Sequence, residues 1–254
     1  MKGLFWYCGV SIAPVRSEPK DSAEMITQLL FGEIVELMDA DKQWRKVKSY
    51  SDQYEGWIDE KLIHPLTEKE LKKWMDKQTL LFDSQFRINT KAGDILLTKG
   101  CFIPGVEAKA PVHIGNEEYI FTESPSTVPN DIQTIAKSYL NAPYLWGGKT
   151  LFGIDCSSYT QLVFRFLSIS LPRDAYQQAE DGAEIQLEDA QLGDLAFFDN
   201  EGGKIIHVGI LLDNQKIIHA HGQVRIDKLD SEGIYNTERA YYSHKLCLLK
   251  RYFN

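Results

Sequence analysis

The chain has 254 residues, of which 43% are hydrophobic and 25% charged, with a formal net charge of −8 at pH 7. That length exceeds one ordinary core and suits a catalytic domain with one or two small companions, in a protein of ordinary globular composition. No stretch approaches the roughly 20 apolar residues that span a bilayer, and the negative balance argues against a nucleic acid held through its phosphates, so neither membrane nor nucleic acid is expected as a partner.

At the N-terminus, Lys2 followed by the apolar run Leu4 to Val10 has the outline of a signal peptide. The A-x-A cleavage pattern is missing, and Pro14 follows Ala13 where cutting would fall. Phe5-Trp6-Tyr7 is too bulky for lipid processing at Cys8, so a buried first strand is expected. The four cysteines, Cys8, Cys101, Cys156 and Cys247, are widely spaced without a CxxC pair. This argues against a disulfide framework or a zinc ribbon and favours a reducing compartment, the cytoplasm.

Over residues 1–65, short alternating runs such as Leu29 to Leu37 and Trp44 to Lys48 read as strands of a small barrel. Gly56-Trp57-Ile58, after Tyr54-Glu55, resembles the end of bacterial SH3-like domains. Thr67-Glu68-Lys69-Glu70 has the capping-box pattern and predicts a helix to about Met75. Strand-like pieces at Leu80 to Phe82, Asp94 to Leu97 and Tyr119 to Phe121, with turns at Lys99-Gly100 and Pro104-Gly105, predict a second SH3-like barrel within residues 66–123. Glu123 to Asn130, rich in Ser, Thr and Pro, reads as a linker, and a catalytic domain is expected over residues 124–254.

In that domain Asp131 is placed to cap a helix carrying Ile132, Ile135, Ala136, Tyr139 and Leu140 on one face, ended by Asn141-Ala142-Pro143. A second helix is expected to start near Cys156, with Tyr159, Leu162, Val163, Phe166 and Leu167 as its buried stripe. Strands follow at Leu195 to Phe198, Ile205 to Leu212 and Lys216 to His221, which makes the order α+β.

Cys156 differs from the other cysteines because glycines, serines and Asp155 surround it at a helix start. There, unpaired backbone N–H groups and the helix dipole are expected to lower the thiol pKa and make it a nucleophile. A three-residue loop at Asp213-Asn214-Gln215 puts His207 opposite His221 and Gly209 opposite His219, all on one face. His207 and His219 are then diagonal neighbours, roughly 7–8 Å apart along the backbone. Three histidines on one face favour either catalysis, with a base and its orienter, or tetrahedral zinc held by Cys156, His207, His219 and His221.

The segments Pro143-Tyr144-Leu145-Trp146-Gly147-Gly148, Gly153-Ile154-Asp155-Cys156-Ser157-Ser158, Leu192-Gly193-Asp194-Leu195, His207-Val208-Gly209-Ile210 and His219-Ala220 resemble the NlpC/P60 cell-wall peptidases. The resemblance implies a papain-like α+β fold without a cofactor or metal, with Cys156 as nucleophile, His207 as base, His219 as third polar residue and Tyr144 near the oxyanion. Ser158 stands where many members carry glycine. SH3-like domains ahead of such a domain resemble the cytoplasmic γ-D-glutamyl-L-diamino acid endopeptidases of cell-wall recycling. That subgroup's partner is a small murein peptide with a free N-terminal L-alanine. On this resemblance Asp155, Ser157, Trp146 and Asp174 are expected to bind substrate, with Asp174 against its amine and Glu24 and Tyr54 walling the amine pocket. A binding module without catalysis is the remaining rival, and the complete Cys156, His207 and His219 set speaks against it.

Overall fold

The computed structural model describes residues 4–104 and 111–253 and divides into two compact units, residues 1–128 and 129–254. In the first unit, β1 (Phe5–Cys8), β2 (Ile12–Arg16), β3 (Met25–Leu30), β4 (Ile34–Asp41), β5 (Trp44–Ser49), β6 (Glu55–Asp59) and β7 (Ile63–Leu66) form one antiparallel sheet in the order β3-β2-β6-β5-β4-β1-β7. The alternation seen in the sequence sends Trp6, Cys8, Ala13, Val15, Leu29, Val35, Val47, Ile58 and Ile63 into one core. Cys8 is therefore a strand residue packed inside this sheet.

Helix α1 (Glu68–Lys77) opens with the expected capping box, in which the Glu70 backbone N–H donates to Thr67 Oγ1 and the Thr67 N–H donates to Glu70 Oε2. The chain continues as β8 (Gln78–Leu80), β9 (Phe86–Thr90), β10 (Gly93–Leu97), β11 (Phe102–Pro104), β12 (Pro111–Ile114) and β13 (Glu117–Phe121). These make a four-stranded sheet, β10-β9-β13-β12, and a separate ribbon of β11 with β8. The described residues do not form a second closed barrel, because β8 and β11 pair with each other and not with the sheet. Of the turn expected at Pro104-Gly105, Gly105 lies outside the described residues.

The second unit begins with α2 (Ile132–Lys137), whose cap Asp131 accepts from the Thr134 N–H. It ends earlier than the apolar stripe suggests. The Ser138 hydroxyl donates to the Ile135 carbonyl at 2.7 Å, a local bond that competes with helix continuation. Next come the short β14 (Lys149–Thr150) and β15 (Gly153–Ile154), then α3 (Cys156–Phe166) and α4 (Ala175–Gln178). The strands β16 (Ala183–Ile185), β17 (Leu195–Asp199), β18 (Ile205–Asp213), β19 (Lys216–His221), β20 (Gln223–Leu229), β21 (Gly233–Asn236) and β22 (Tyr241–Arg251) complete the unit.

Their sheet runs β16-β22-β17-β18-β19-β20-β21, and an additional pairing of β21 with β22 closes six of these strands into a small barrel. Ala196, Phe198, Leu211, Ile217, Leu229, Ile234 and Leu249 fill its core. Helix α3 is buried on nearly all sides, which suits its apolar sequence, and packs against β18 and β19. The helix that Cys156 opens is thereby fixed against the strands that carry His207, His219 and His221.

Candidate active site

The start of α3 is held by its N-cap. Asp155 accepts from the Ser158 N–H at 2.8 Å and from the Gly147 N–H at 3.0 Å, the latter from a loop residue at φ 75° that favours glycine. Behind it Arg173, buried to 2% exposure, forks onto the same carboxylate through Nη2 at 2.6 Å and Nη1 at 3.2 Å, and reaches Ser157 Oγ at 2.9 Å. Asp155 and Ser157, expected to bind substrate, are thus committed to a buried charge network that frames Cys156. Asp174 follows Arg173 as the half-buried N-cap of α4, where its N–H donates to Gln177 Oε1.

Cys156 itself is 7% exposed, and burial pushes its thiol up to about 12, with the negative Asp155 adding to the rise. The N–H groups of Val208 and Ser157 and the positive Arg173 pull the other way and do not win. The lowered thiol pKa expected from the helix start is overturned, because desolvation of a thiolate in this enclosed position outweighs the helix-end donors. What the helix start does supply is placement. The Val208 N–H donates to Cys156, which sets the thiol beside the residue that follows His207. Tyr144 is half-buried, and burial raises its hydroxyl pKa, helped by Cys156 and Asp155, so its side chain also belongs to this surround. Trp146, from the same loop, is 62% exposed.

The hairpin keeps the expected register by a different route. Asp213 pairs with Lys216 around a two-residue loop, and a bulge at Leu212 restores Leu211 opposite Ile217 and Ile210 opposite Ile218. The same count puts Gly209 opposite His219 and His207 opposite His221. A side chain at position 209 would come within 2.8 Å of His219 Cβ, so glycine there leaves the space that the His219 ring occupies.

His207 Nε2 lies 2.8 Å from His219 Nδ1, and His219 Nε2 lies 3.0 Å from Asp227 Oδ2. Arg225, opposite His219 on β20, donates to both oxygens of Asp227 at 2.7 and 2.9 Å. Burial pushes the Asp227 carboxyl up, yet the His219 and Arg225 hydrogen bonds prevail and hold it below its ordinary value. Burial, joined by the surrounding imidazoles, drives His207 well below the usual histidine range. Both ring nitrogens of His219 are engaged, which counts against zinc held by that residue. Of the two histidines expected as orienter, His219 is the one in hydrogen-bond contact with His207, while the exposed His221 ring stands 6.3 Å away, centre to centre.

Two members of this cluster escaped the sequence reading. Asp227 follows a turn too tight to stand out, Gly222, between β19 and β20. His244 reaches the cluster from β22, where its ring stacks on His207 at 4.1 Å and 21°. Glu24 and Tyr54 lie in the first unit, just before β3 and β6, strands that both pair with β2 at Arg16. Glu24 is exposed and Tyr54 half-buried.

Residues 141–243 match the NlpC/P60 family, and residues 15–63 match the bacterial dipeptidyl-peptidase SH3 domain. A gamma-D-glutamyl-L-lysine dipeptidyl-peptidase of Bacillus subtilis is 36% identical over 135 residues, spanning 52% of this chain and less than half, 44%, of that relative. A protein of the same name from Bacillus cereus is 26% identical over 251 residues, covering 82% of this chain and 71% of the relative. The crystal structure of an NlpC/P60 family protein from Bacillus cereus shares the fold, with a TM-score of 0.81 at 21% identity over 98% of this chain and 99% of that one. With Cys156, His207 and His219 assembled inside the matched segment, the chain carries an NlpC/P60 domain with a bacterial dipeptidyl-peptidase SH3 domain ahead of it.

Proposed function

We propose that this chain is a cysteine peptidase that cleaves the γ-D-glutamyl to L-diamino acid bond of short murein peptides bearing a free N-terminal L-alanine. The observation that carries the reading is the line from Asp227 through His219 to His207, beside a thiol held at a helix start by the Val208 N–H. The names of the two Bacillus relatives, gamma-D-glutamyl-L-lysine dipeptidyl-peptidases, support the bond class.

With Asp227 ionised, His219 carries its proton on Nε2 and accepts on Nδ1. His207 then carries its proton on Nε2, and its Nδ1 is a bare lone pair. Thiol and imidazole are both neutral at rest, since burial raises one and lowers the other. On attack, the Cys156 proton passes to His207 Nδ1 while sulfur bonds to the γ-carbonyl carbon and the carbonyl oxygen takes up the negative charge. Backbone N–H groups at the start of α3 and the Tyr144 hydroxyl are the donors proposed for that oxygen. Collapse expels the diamino acid amine, which takes the proton from His207 and leaves a thioester. Water then adds to the thioester, giving one proton to His207, and the thiol departs with that proton restored.

Asp174 is proposed to hold the substrate ammonium, since Arg173 beside it is already consumed by Asp155 and Ser157. Widely spaced cysteines without a CxxC pair suit work in a reducing compartment, and a recycling role in the cytoplasm fits a substrate already cut from its glycan. Incubation with L-Ala-γ-D-Glu-L-Lys should release L-Ala-γ-D-Glu and lysine, and Cys156→Ala should abolish this. Hydrolysis that survives in Cys156→Ala overturns the cysteine mechanism. N-acetylating the alanine should lower kcat/KM by ~10²-fold or more. Equal rates on free and blocked peptides would remove the amine requirement alone.

A further inference from the structure

Four of the six histidines in the chain gather at one end of the barrel of the second unit, and the hydrolytic scheme uses two of them. His221 is exposed. His244 is the closest ring to the base, stacked on it at 4.1 Å between centres and 21° between planes. Its arrival there depends on a break in β22. Ala196 pairs with Leu249 and Phe197 with Leu248, but Phe198 pairs with Leu246, so Cys247 is bulged out of the ladder. An unbroken strand would alternate inward from Leu249 through residues 247 and 245 and put Lys245 at the site. The bulge shifts the phase by one, so Leu246 and then His244 take the inward face beside Phe198.

A histidine ring turns easily about its last side-chain bond, and a half-turn exchanges a nitrogen with a carbon at each edge. His207 is held at one edge by His219 and tilted against Phe198 at 5.8 Å, which leaves its broad face to be covered. His244 covers it, and its own Nδ1 is tied 2.9 Å from Ser243 Oγ. We propose that His244 is a positioning residue for the base: stacked on His207, it locks the ring so that Nε2 meets His219 and Nδ1 is left for the thiol proton. The assignment rests on the hydrolytic reading for its consequence in turnover, while the ring lock itself is independent of that reading.

The charge environment gives a readout. His207 is faced by His219 and His221 from β19 and by His244 from β22, and the N–H of Val208, the next residue, reaches Cys156 on α3. His244 is faced by His219 and His221, and by Asp227 from β20. Burial and the neighbouring imidazoles keep His244 at about 3, so a neutral ring face meets His207 when it becomes an imidazolium, a favourable contact. Removing the ring admits water to His207, and relief of the burial that holds it down outweighs the lost face contact, so His207 should titrate higher.

The test follows the His207 imidazole by NMR across pH in the full-length chain with Cys156→Ala, alone and combined with His244→Ala or His244→Phe. The acidic limb of kcat/KM is measured in parallel with Cys156 present. His244→Ala should raise the His207 titration by about one unit or more and move the acidic limb with it, with kcat down about tenfold. His244→Phe, which restores a flat ring, should hold both near the parent and keep kcat within about threefold. A His207 titration unmoved by His244→Ala overturns the proposal, as does His244→Phe behaving like His244→Ala while still folded. If the parent protein itself fails to cleave the peptide, the hydrolytic reading falls and the NMR titration still decides the ring lock.

Discussion

His207 and His219 share one hydrogen bond, Nε2 to Nδ1 at 2.8 Å, and the proton in that bond belongs to His207 because Asp227 claims the proton on the far side of His219. Two imidazoles in contact would otherwise leave either ring free to hold either tautomer. The carboxylate at the end of the line fixes both at once. It is itself fixed by the Arg225 fork, which engages both oxygens of Asp227.

Asp227→Asn should therefore be more damaging than its small change in shape suggests. The amide has one acceptor oxygen for a site with three donor contacts, and an NH₂ turned toward His219 would reverse both tautomers and block Nδ1 of the base. We expect kcat to fall by ~10²-fold or more with the fold retained, by analogy with the tautomer effect of the same change in serine hydrolases. Nitrogen-15 shifts of the imidazoles read the tautomer directly. Wild-type turnover in Asp227→Asn would show that the line does not govern the base.

His219→Ala and His221→Ala should separate sharply. The first removes the nitrogen that pairs with His207 Nε2 and takes a buried hydrogen bond from it, so a loss of ~10²-fold or more in kcat is expected. The second trims an exposed ring whose centre is 6.3 Å from His207, and less than about fivefold is expected. Steady-state rates of the two variants check the ranking, and the reverse order would assign the orienting role to His221.

Much of this site was legible in the sequence because the signals were local. Asp155 before Cys156 marks a helix start, and the parity of residues 207, 209, 219 and 221 puts them on one face. The register survived even though the loop did not match, since the bulge at Leu212 offsets the shorter turn. His244 and Asp227 were not legible for two different reasons. Asp227 sits in regular register on β20, but the turn at Gly222 that pairs β20 with β19 is too tight to stand out, whereas His244 depends on a one-residue bulge in β22 that decides which face its side chain takes, and no composition signal marks the bulge at Cys247. The thiol pKa was misjudged because burial, a property of the assembled fold, outweighs the helix end that the sequence does reveal.

Arg173→Met should destabilise the second unit while leaving its shape recognisable. Arg173 and Asp155 are both almost fully buried, and the methionine would leave the Asp155 carboxylate without its fork. Removing one partner of a buried pair typically costs about 3–5 kcal/mol. Urea midpoints should fall accordingly, and because Asp155 caps α3, activity should fall with them. A midpoint within experimental error of the parent would mean that solvent or Ser158 and Gly147 suffice to hold the carboxylate.

The histidine cluster should also make folding stability depend on pH in a way that one substitution can isolate. Burial, with His219 and His221 adding to it, depresses His244 to about 3 in the folded chain, whereas an unfolded histidine titrates near its ordinary 6.5. Below that ordinary value the unfolded chain binds a proton that the folded chain refuses, so stability rises with pH across this window and is lost as pH falls. His244→Phe removes the proton from both states. The parent should therefore lose stability faster than His244→Phe between pH 6.5 and about 4, by up to about 1.4 kcal/mol per pH unit for one excluded proton, and the two should run parallel above pH 7. Urea unfolding of both proteins at half-unit intervals measures the difference directly. Parallel curves throughout would show that His244 takes up a proton as readily in the folded protein as in the unfolded one, which is incompatible with a neutral ring stacked against the base.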